Sequence, residues 1–141
     1  MNSQITQLAS KYLLPVLIVI SVIVFFRGHH HPGGGFIAAL IAATAIIFNA
    51  MVTETGSVYK RLFSHPVRLV AAGMSFCFLA AFAGLLESRP LFYGYWTEIK
   101  LPLVNKISLG TPLLFDAGVF LVVTGSLLTV FLLILEEIEW K

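Results

Sequence analysis

The chain alternates between long apolar stretches and short polar ones. Four apolar runs stand out, at residues 8–26, 36–52, 67–86 and 112–135. A helix needs roughly 20 apolar residues to cross a hydrocarbon core about 30 Å thick, and these runs meet or approach that length. Open sheets leave backbone polar groups unpaired, which is too costly in lipid. The pattern therefore predicts an all-α membrane protein with four transmembrane helices, forming a single domain over residues 1–141.

The composition agrees with a chain whose surface faces lipid. Hydrophobic residues make up 58% and charged residues 11%, whereas a soluble domain carries about a quarter charged residues. The formal net charge of +2 is too small and too scattered to indicate nucleic acid binding. The one cysteine, Cys77, lies inside the third apolar run, which excludes a disulfide framework and a cysteine-based metal site. We expect neither a cofactor nor an enzymatic activity.

The polar stretch Arg27–Phe36 separates the first two apolar runs and contains one charge, three histidines, one proline and four glycines. Proline and glycine runs interrupt helices, so no single helix crosses here. The consecutive glycines Gly33, Gly34 and Gly35 allow positive φ or a very close backbone approach. The stretch is either a tight interfacial hairpin, or a buried joint or ion-path element.

The adjacent histidines His29, His30 and His31 allow several interpretations. A zinc site is disfavoured, because neighbouring ligands in one loop do not easily reach one tetrahedral ion and no acid or cysteine stands nearby. Imidazole titrates near neutral pH, which suits a proton-handling or pH-sensing loop. Simple interfacial polarity is the remaining interpretation.

Small residues gather on one face of the second and third helices. Helices in lipid associate through close packing of such residues, so both faces are predicted to be buried against protein. Asn49 shares the face of the second helix and is either a packing hydrogen bond or part of an ion route. The two faces comprise Ala38, Ala39, Ala42, Ala43, Ala45, Asn49 and Ala50, and Gly73, Cys77, Ala80 and Gly84.

The fourth helix contains Asp116, the only formal charge well inside an apolar run. Thr111 is expected to cap this helix and Pro112 to occupy its first position. An ionisable group in a membrane helix is a functional candidate by default, although one so near the end could simply reach water or an adjacent donor. The small residues of this helix lie on the opposite face, so Asp116 is predicted to point away from its own bundle. That stripe consists of Thr111, Gly118, Gly125 and Thr129.

The connections indicate topology and an interfacial or partner-binding element. The segment Glu87–Leu109 is long for a compact bundle, and it is rich in aromatic residues near its start, as is typical of the headgroup zone. Five basic residues lie on the side of the two termini and four on the other, which predicts cytoplasmic termini. The first group is Lys11, Lys60, Arg61, Arg68 and Lys141, and the second is Arg27, Arg89, Lys100 and Lys106.

Two segments together resemble a known family. The stretches Gly28–Phe36, with sequence GHHHPGGGF, and Gly110–Phe120, with sequence GTPLLFDAGVF, are similar to the motifs of the B subunit of the multi-subunit Mrp-type (Mnh) Na+/H+ antiporter. The resemblance covers essentially the whole chain. The positions matching the family motifs include His29, Asp116 and the backbone positions Gly33, Gly34, Gly35, Gly110, Thr111, Pro112 and Gly118.

The resemblance implies a small subunit of a bacterial cytoplasmic-membrane complex that exchanges Na+ for H+, with the other antiporter subunits and membrane lipid as partners. Ion-route candidates are Asp116, His29 and Asn49, and no catalytic residue or metal site is implied. Two alternatives remain open at this point. One is a self-sufficient homodimeric cation/proton transporter, and the other is the equivalent subunit of a membrane-bound hydrogenase-type complex.

Overall fold

The computed structural model of the chain describes residues 4–28, 34–52, 65–83, 85, 90–91, 93–94, 96–101 and 104–139. Within them lie four helices: α1 (Gln4–Arg27), α2 (Gly34–Val52), α3 (Pro66–Phe82) and α4 (Thr111–Glu139). By length and composition α1, α2 and α4 can cross a membrane, and α3 is a shorter apolar helix of 17 residues. The predicted helical membrane protein with four apolar helices is confirmed.

The ends of the helices differ from the apolar runs by a few residues. The second helix begins at Gly34, so two of the three consecutive glycines belong to its first turn. The third helix ends at Phe82 rather than near residue 86. The fourth continues through its acidic end to Glu139. Hydropathy marks the part of the chain that suits lipid, whereas backbone hydrogen bonding decides where a helix ends, so α2 and α4 extend beyond their apolar runs and α3 stops short of its own.

The four helices pack in the order α1, α2, α4, α3, each against its neighbour in that row. The helices α1 and α2 are antiparallel, since Ser21 contacts Ala38 while Ser10 contacts Asn49. The first turn of α2 lies against the first turns of α4, so these two helices run in the same direction. The helices α2 and α4 lie in the middle of this row. Each begins within one of the two sequence motifs, Gly28–Phe36 and Gly110–Phe120.

The core of this row is built from small side chains. The alanine face of α2 is buried, with Ala38, Ala39 and Ala43 fully inaccessible, which confirms the predicted packing face. On α3, Gly73 and Ala80 are buried and Cys77 is half-buried, while Gly84 lies outside the described residues. Large apolar side chains point outward on all four helices. This distribution suits lipid, where leucine gains little from leaving the acyl chains and small residues allow close helix contact.

Glycines bring the backbones of α3 and α4 into contact. A methyl group on Gly73 would stand 2.5 Å from the carbonyl oxygen of Gly118 and 2.7 Å from the backbone nitrogen of Val122. A methyl group on Gly118 would stand 2.6 Å from Sγ of Cys77. No real Cβ tolerates such distances, so the two helices approach closely only because these positions lack a side chain.

The connection between α3 and α4 contains a feature that the sequence analysis did not predict. Strands β1 (Trp96–Leu101) and β2 (Val104–Gly110) pair antiparallel, with Trp96 opposite Gly110, and β2 leads directly into α4. Both strands contain β-branched residues, Thr97 and Ile99 in β1 and Val104 and Ile107 in β2, which favour extended backbone. The backbone groups that face the partner strand pair within the hairpin, and the hairpin lies in a connection rather than in one of the membrane-spanning helices.

Substitution of Ala42 by leucine should destabilise the helix row. Ala42 is 4% exposed on α2, and its larger replacement would force α2 from its neighbours at a cost of about 1–3 kcal/mol. Thr44→Leu is the matched control, because Thr44 is exposed on the same helix. We expect Ala42→Leu, but not Thr44→Leu, to lower the thermal unfolding midpoint in detergent. Equal midpoints for the two variants would contradict the buried alanine face.

Candidate functional site

The turn between α1 and α2 is closed by two glycines. A Cβ on Gly28 would overlap the backbone of Gly34, and a Cβ on Gly34 would equally overlap Gly28. Gly34 is helical, so it is required here for close approach rather than for positive φ. Residues 29–33, which include the predicted candidates His29 and Gly33, lie outside the described residues.

The next glycine joins the two family motifs. A Cβ on Gly35 would overlap the carbonyl oxygen of Asp116 and stand 3.0 Å from its carbonyl carbon and 3.1 Å from its Cα. The first turn of α2 therefore rests directly on the main chain of α4 at Asp116. Gly35 is buried and Asp116 is half-buried. We call this contact the glycine–aspartate junction.

The face of α4 that carries Asp116 is not turned away from the chain's own helices, contrary to the expectation from the sequence. Besides the contact with Gly35, the ring of Phe120 packs edge-to-face on Phe25 of α1, with centroids 5.7 Å apart. The sequence analysis found one stripe of small residues on α4 and expected α4 to pack on the other helices through that stripe alone. In the structure α4 lies between α2 and α3 and therefore packs on two sides.

An apolar groove opens between α1 and α4 beside the glycine–aspartate junction. Its volume is about 290 Å³, and the polar residue in its lining is Ser21, whose hydroxyl donates a hydrogen bond to the carbonyl oxygen of Ala38 at 2.8 Å. The rings of Phe25 and Phe120 meet at its wall. The groove is lined by Ser21, Val22, Phe25, Phe26, Ala117, Phe120 and Leu121.

Asn49 joins α2 to α1. Its Nδ2 donates a hydrogen bond of 2.6 Å to Oγ of Ser10, which is fully buried. The buried hydroxyl of Ser21 makes the second polar contact between these helices, with Ala38. Sequence reasoning missed both serines as packing residues because Ser10 follows a polar helix start and Ser21 stands alone in an apolar run. Their separation of 11 residues places them on the same helix face, and that spacing was the available signal.

The structure does not bring Asn49 to Asp116. Asp116 contacts α2 at Gly35, and Asn49 lies 14 residues further along α2. At a rise of 1.5 Å per residue this separation is about 21 Å. Asn49 contacts α1, whereas Asp116 contacts the first turn of α2. The two predicted ion-route candidates are therefore separated along most of the length of α2.

The start of α4 is anchored to the preceding connection. The hydroxyl of Thr111 donates to the carbonyl oxygen of Tyr93 at 3.4 Å. The helix includes Thr111, so Pro112 stands at the second helical position, one residue later than predicted. Gly110, at the end of β2, is half-buried. Behind this turn, Sγ of Cys77 lies 3.8 Å from the carbonyl oxygen of Phe115.

The described part of the chain contains no group of three or more histidine, cysteine, aspartate or glutamate side chains that could hold a metal ion. Asp116 is the only carboxylate within the apolar part of any of the four helices. Asp116 is therefore the one carboxylate that the apolar parts of these helices can offer to an ion, and it lies beside the glycine-rich start of α2.

The hydrogen bond between Asn49 and Ser10 should be measurable as a coupling energy. Side-chain hydrogen bonds between membrane helices contribute about 0.6 kcal/mol on average and up to about 1.7 kcal/mol. We expect a double-variant cycle of Asn49→Ala and Ser10→Ala, followed by unfolding in detergent, to give a value in this range. Ser75, which is exposed and bonds to its own helix at Ala71, provides the control. A coupling of Asn49 with Ser10 no larger than with Ser75 would contradict the contact.

Comparison with known proteins gives this architecture a family. Residues 5–129 match the family model described as a domain related to the MnhB subunit of Na+/H+ antiporter. The chain is 31% identical over 98 residues to the B subunit of the Na+/H+ antiporter of Alkalihalophilus pseudofirmus, covering 70% of this chain and 68% of that protein. It is 29% identical over 136 residues to the protein of the same name from Bacillus subtilis, covering 96% and 95%.

The chain belongs to the MnhB family. The matched range contains all of α2 and α3, the hairpin, and α4 as far as Thr129. Both sequence motifs from which the resemblance was inferred thus fall inside it. The junction between Gly35 and Asp116 is therefore a contact within the part of the chain that matches the family model.

Proposed function

We propose that this chain is a small multi-pass subunit of a Na+/H+ antiporter in the bacterial cytoplasmic membrane, with both termini in the cytoplasm. It works with the other subunits of the complex, supports their assembly and contributes to the ion route. The observation that carries the proposal is the glycine–aspartate junction. The two motifs on which the resemblance to the family rests are far apart in sequence. They contact each other at Gly35 and Asp116.

The supply of ionisable groups favours a dependent component over a self-sufficient transporter. Coupled exchange of Na+ and H+ needs several intramembrane groups that bind and release ions. The apolar parts of the four helices contain one carboxylate, Asp116. Transporters that work by alternating access hold their site near the midplane, whereas Asp116 lies about 7.5 Å into a helix of 29 residues. The remaining ionisable groups must then come from partner subunits.

The candidates for the ion route divide by location. Asp116, beside the start of α2, is the proposed ion-handling group of the described helices, and His29 adjoins Gly28 in sequence. Asn49 is engaged with Ser10 near the other end of α2, which favours a packing role. The proposed partners of the chain are the other antiporter subunits, membrane lipid, and Na+ and H+ as the transported ions. The names of the relatives refer to an antiporter, which favours this host over a homodimer or a hydrogenase-type complex.

Deletion and complementation test this function. Everted membrane vesicles from cells that contain the antiporter, from cells that lack only this chain, and from cells in which it is restored should be energised to form a pH gradient. We expect Na+ to dissipate the gradient in the first and third preparations but not in the second. Undiminished dissipation without the chain would refute the proposal.

A further inference from the structure

We propose that Gly35 is a positioning residue for Asp116. This inference rests on the proposed function and names a residue on which that function depends. The absence of a side chain at Gly35 allows the first turn of α2 to lie against the carbonyl oxygen, the carbonyl carbon and Cα of Asp116. The location of the Asp116 carboxylate is then set by a contact between two backbones.

The contact is well suited to this role because its parts are stiff. Both residues lie in helices, so neither backbone can shift without moving its helix. Side chains change rotamer readily, whereas a backbone–backbone contact in a packed helix pair has no such freedom. Gly35 is buried and its φ is helical, so its lack of a Cβ serves this close approach alone.

The contact between Gly28 and Gly34 also restrains the start of α2. Gly28 and Gly34 hold the end of α1 against the start of α2, one residue before Gly35. On the other side, Gly118 lets α4 approach Cys77 and Gly73 of α3, two residues after Asp116. The backbone at Asp116 is thus fixed between α2 and α3, and Gly35 is the element that touches Asp116 itself.

The test compares Gly35→Ala with Gly125→Ala in the complete complex. Both changes add one carbon atom to a buried glycine whose Cβ would meet a neighbouring helix, but Gly125 lies nine residues beyond Asp116 along α4 and meets Pro66, Leu69 and Val70 of α3. We expect Gly35→Ala to lower antiport per assembled complex by at least about tenfold, since small misplacements of a reacting group cost one to two orders of magnitude. Gly125→Ala should lower only the amount of complex, and each assembled complex should retain its activity.

A second readout does not depend on activity. Dicyclohexylcarbodiimide labels membrane carboxyl groups, and the label on Asp116 is quantified by mass spectrometry of the purified complex, with Asp116→Asn as the specificity control. We expect Gly35→Ala to change the labelling rate of Asp116 and Gly125→Ala to leave it unchanged. Unchanged antiport and labelling in Gly35→Ala, or equal changes in both variants, would overturn the proposal.

A second measurement covers the case in which Gly35→Ala does not assemble with partner subunits. The contact between Gly35 and Asp116 lies within one chain, so the labelling rate can also be measured on the full chain in membranes, without purification of the complex. We expect Gly35→Ala to change that rate relative to the unsubstituted chain. An unchanged rate would overturn the positioning role. Failure of the proposed function is a separate result, because it would appear as undiminished antiport in vesicles that lack the chain.

Discussion

Replacement of Gly73 by leucine is expected to remove most of the assembled protein from the membrane. The side chain would have to fit where even a methyl group stands 2.5 Å from the carbonyl oxygen of Gly118 and 2.8 Å from Cγ2 of Val122. Overpacking of this kind costs about 1–3 kcal/mol when the surroundings can move, and more when they are backbone. Since α4 is the helix on which α3 mainly packs, the variant should lose that interface.

The matched control is Ala72→Leu. Ala72 is the preceding residue on α3 and is exposed, so leucine there adds apolar surface towards lipid without touching α4. The amounts of each variant in the membrane and in the purified complex can be compared by quantitative immunoblotting. Similar levels of Gly73→Leu and Ala72→Leu would show that α3 and α4 do not meet through Gly73.

Substitution of Asp116 by asparagine is expected to abolish most antiport without preventing assembly. Asparagine preserves the shape of the side chain and its capacity for hydrogen bonds, but it neither carries charge nor exchanges a proton at neutral pH. Loss of a positioned proton-transferring group typically costs about a hundredfold or more in rate. The main-chain contact with Gly35 does not involve the side chain, so the junction should survive. The measurement is Na+-dependent gradient dissipation, normalised to the amount of complex.

Asp116→Ala separates this role from a structural one. If the carboxylate only holds neighbouring groups together, Asp116→Asn should be nearly silent while Asp116→Ala lowers the amount of complex. If it handles ions, both variants should assemble to similar levels and both should be inactive. A fully active Asp116→Asn complex would exclude Asp116 from the ion route.

The helices could be predicted because the bilayer imposes a length on them. Each apolar run corresponds to a helix, and the alanine face of α2 is buried as its periodicity indicated. The hairpin of β1 and β2 was missed because the aromatic residues before it suggested only an interfacial anchor. The order of the helices was also beyond prediction, because small-residue stripes show that a face is packed without showing which helix covers it.

The glycine–aspartate junction illustrates the same limit at the site. The sequence singled out both the glycine run and Asp116, but it attributed the glycines to a turn and gave Asp116 a face directed away from the bundle. Contact between Gly35 and Asp116 depends on α2 and α4 running side by side in the same direction. No local pattern encodes that arrangement. The spacing of Ser10 and Ser21, by contrast, was visible in the sequence and could have identified the face of α1 that packs on α2.

Reconstitution tests most directly whether this chain depends on partner subunits. Liposomes should be prepared with the purified chain alone, with the complete complex, and with the complex lacking this chain, each under an imposed pH gradient. We expect Na+ to dissipate the gradient only in liposomes that contain the complete complex, because the apolar parts of the chain's own helices supply one carboxylate, Asp116. Dissipation by the chain alone, abolished by Asp116→Asn, would contradict this and identify a self-sufficient transporter.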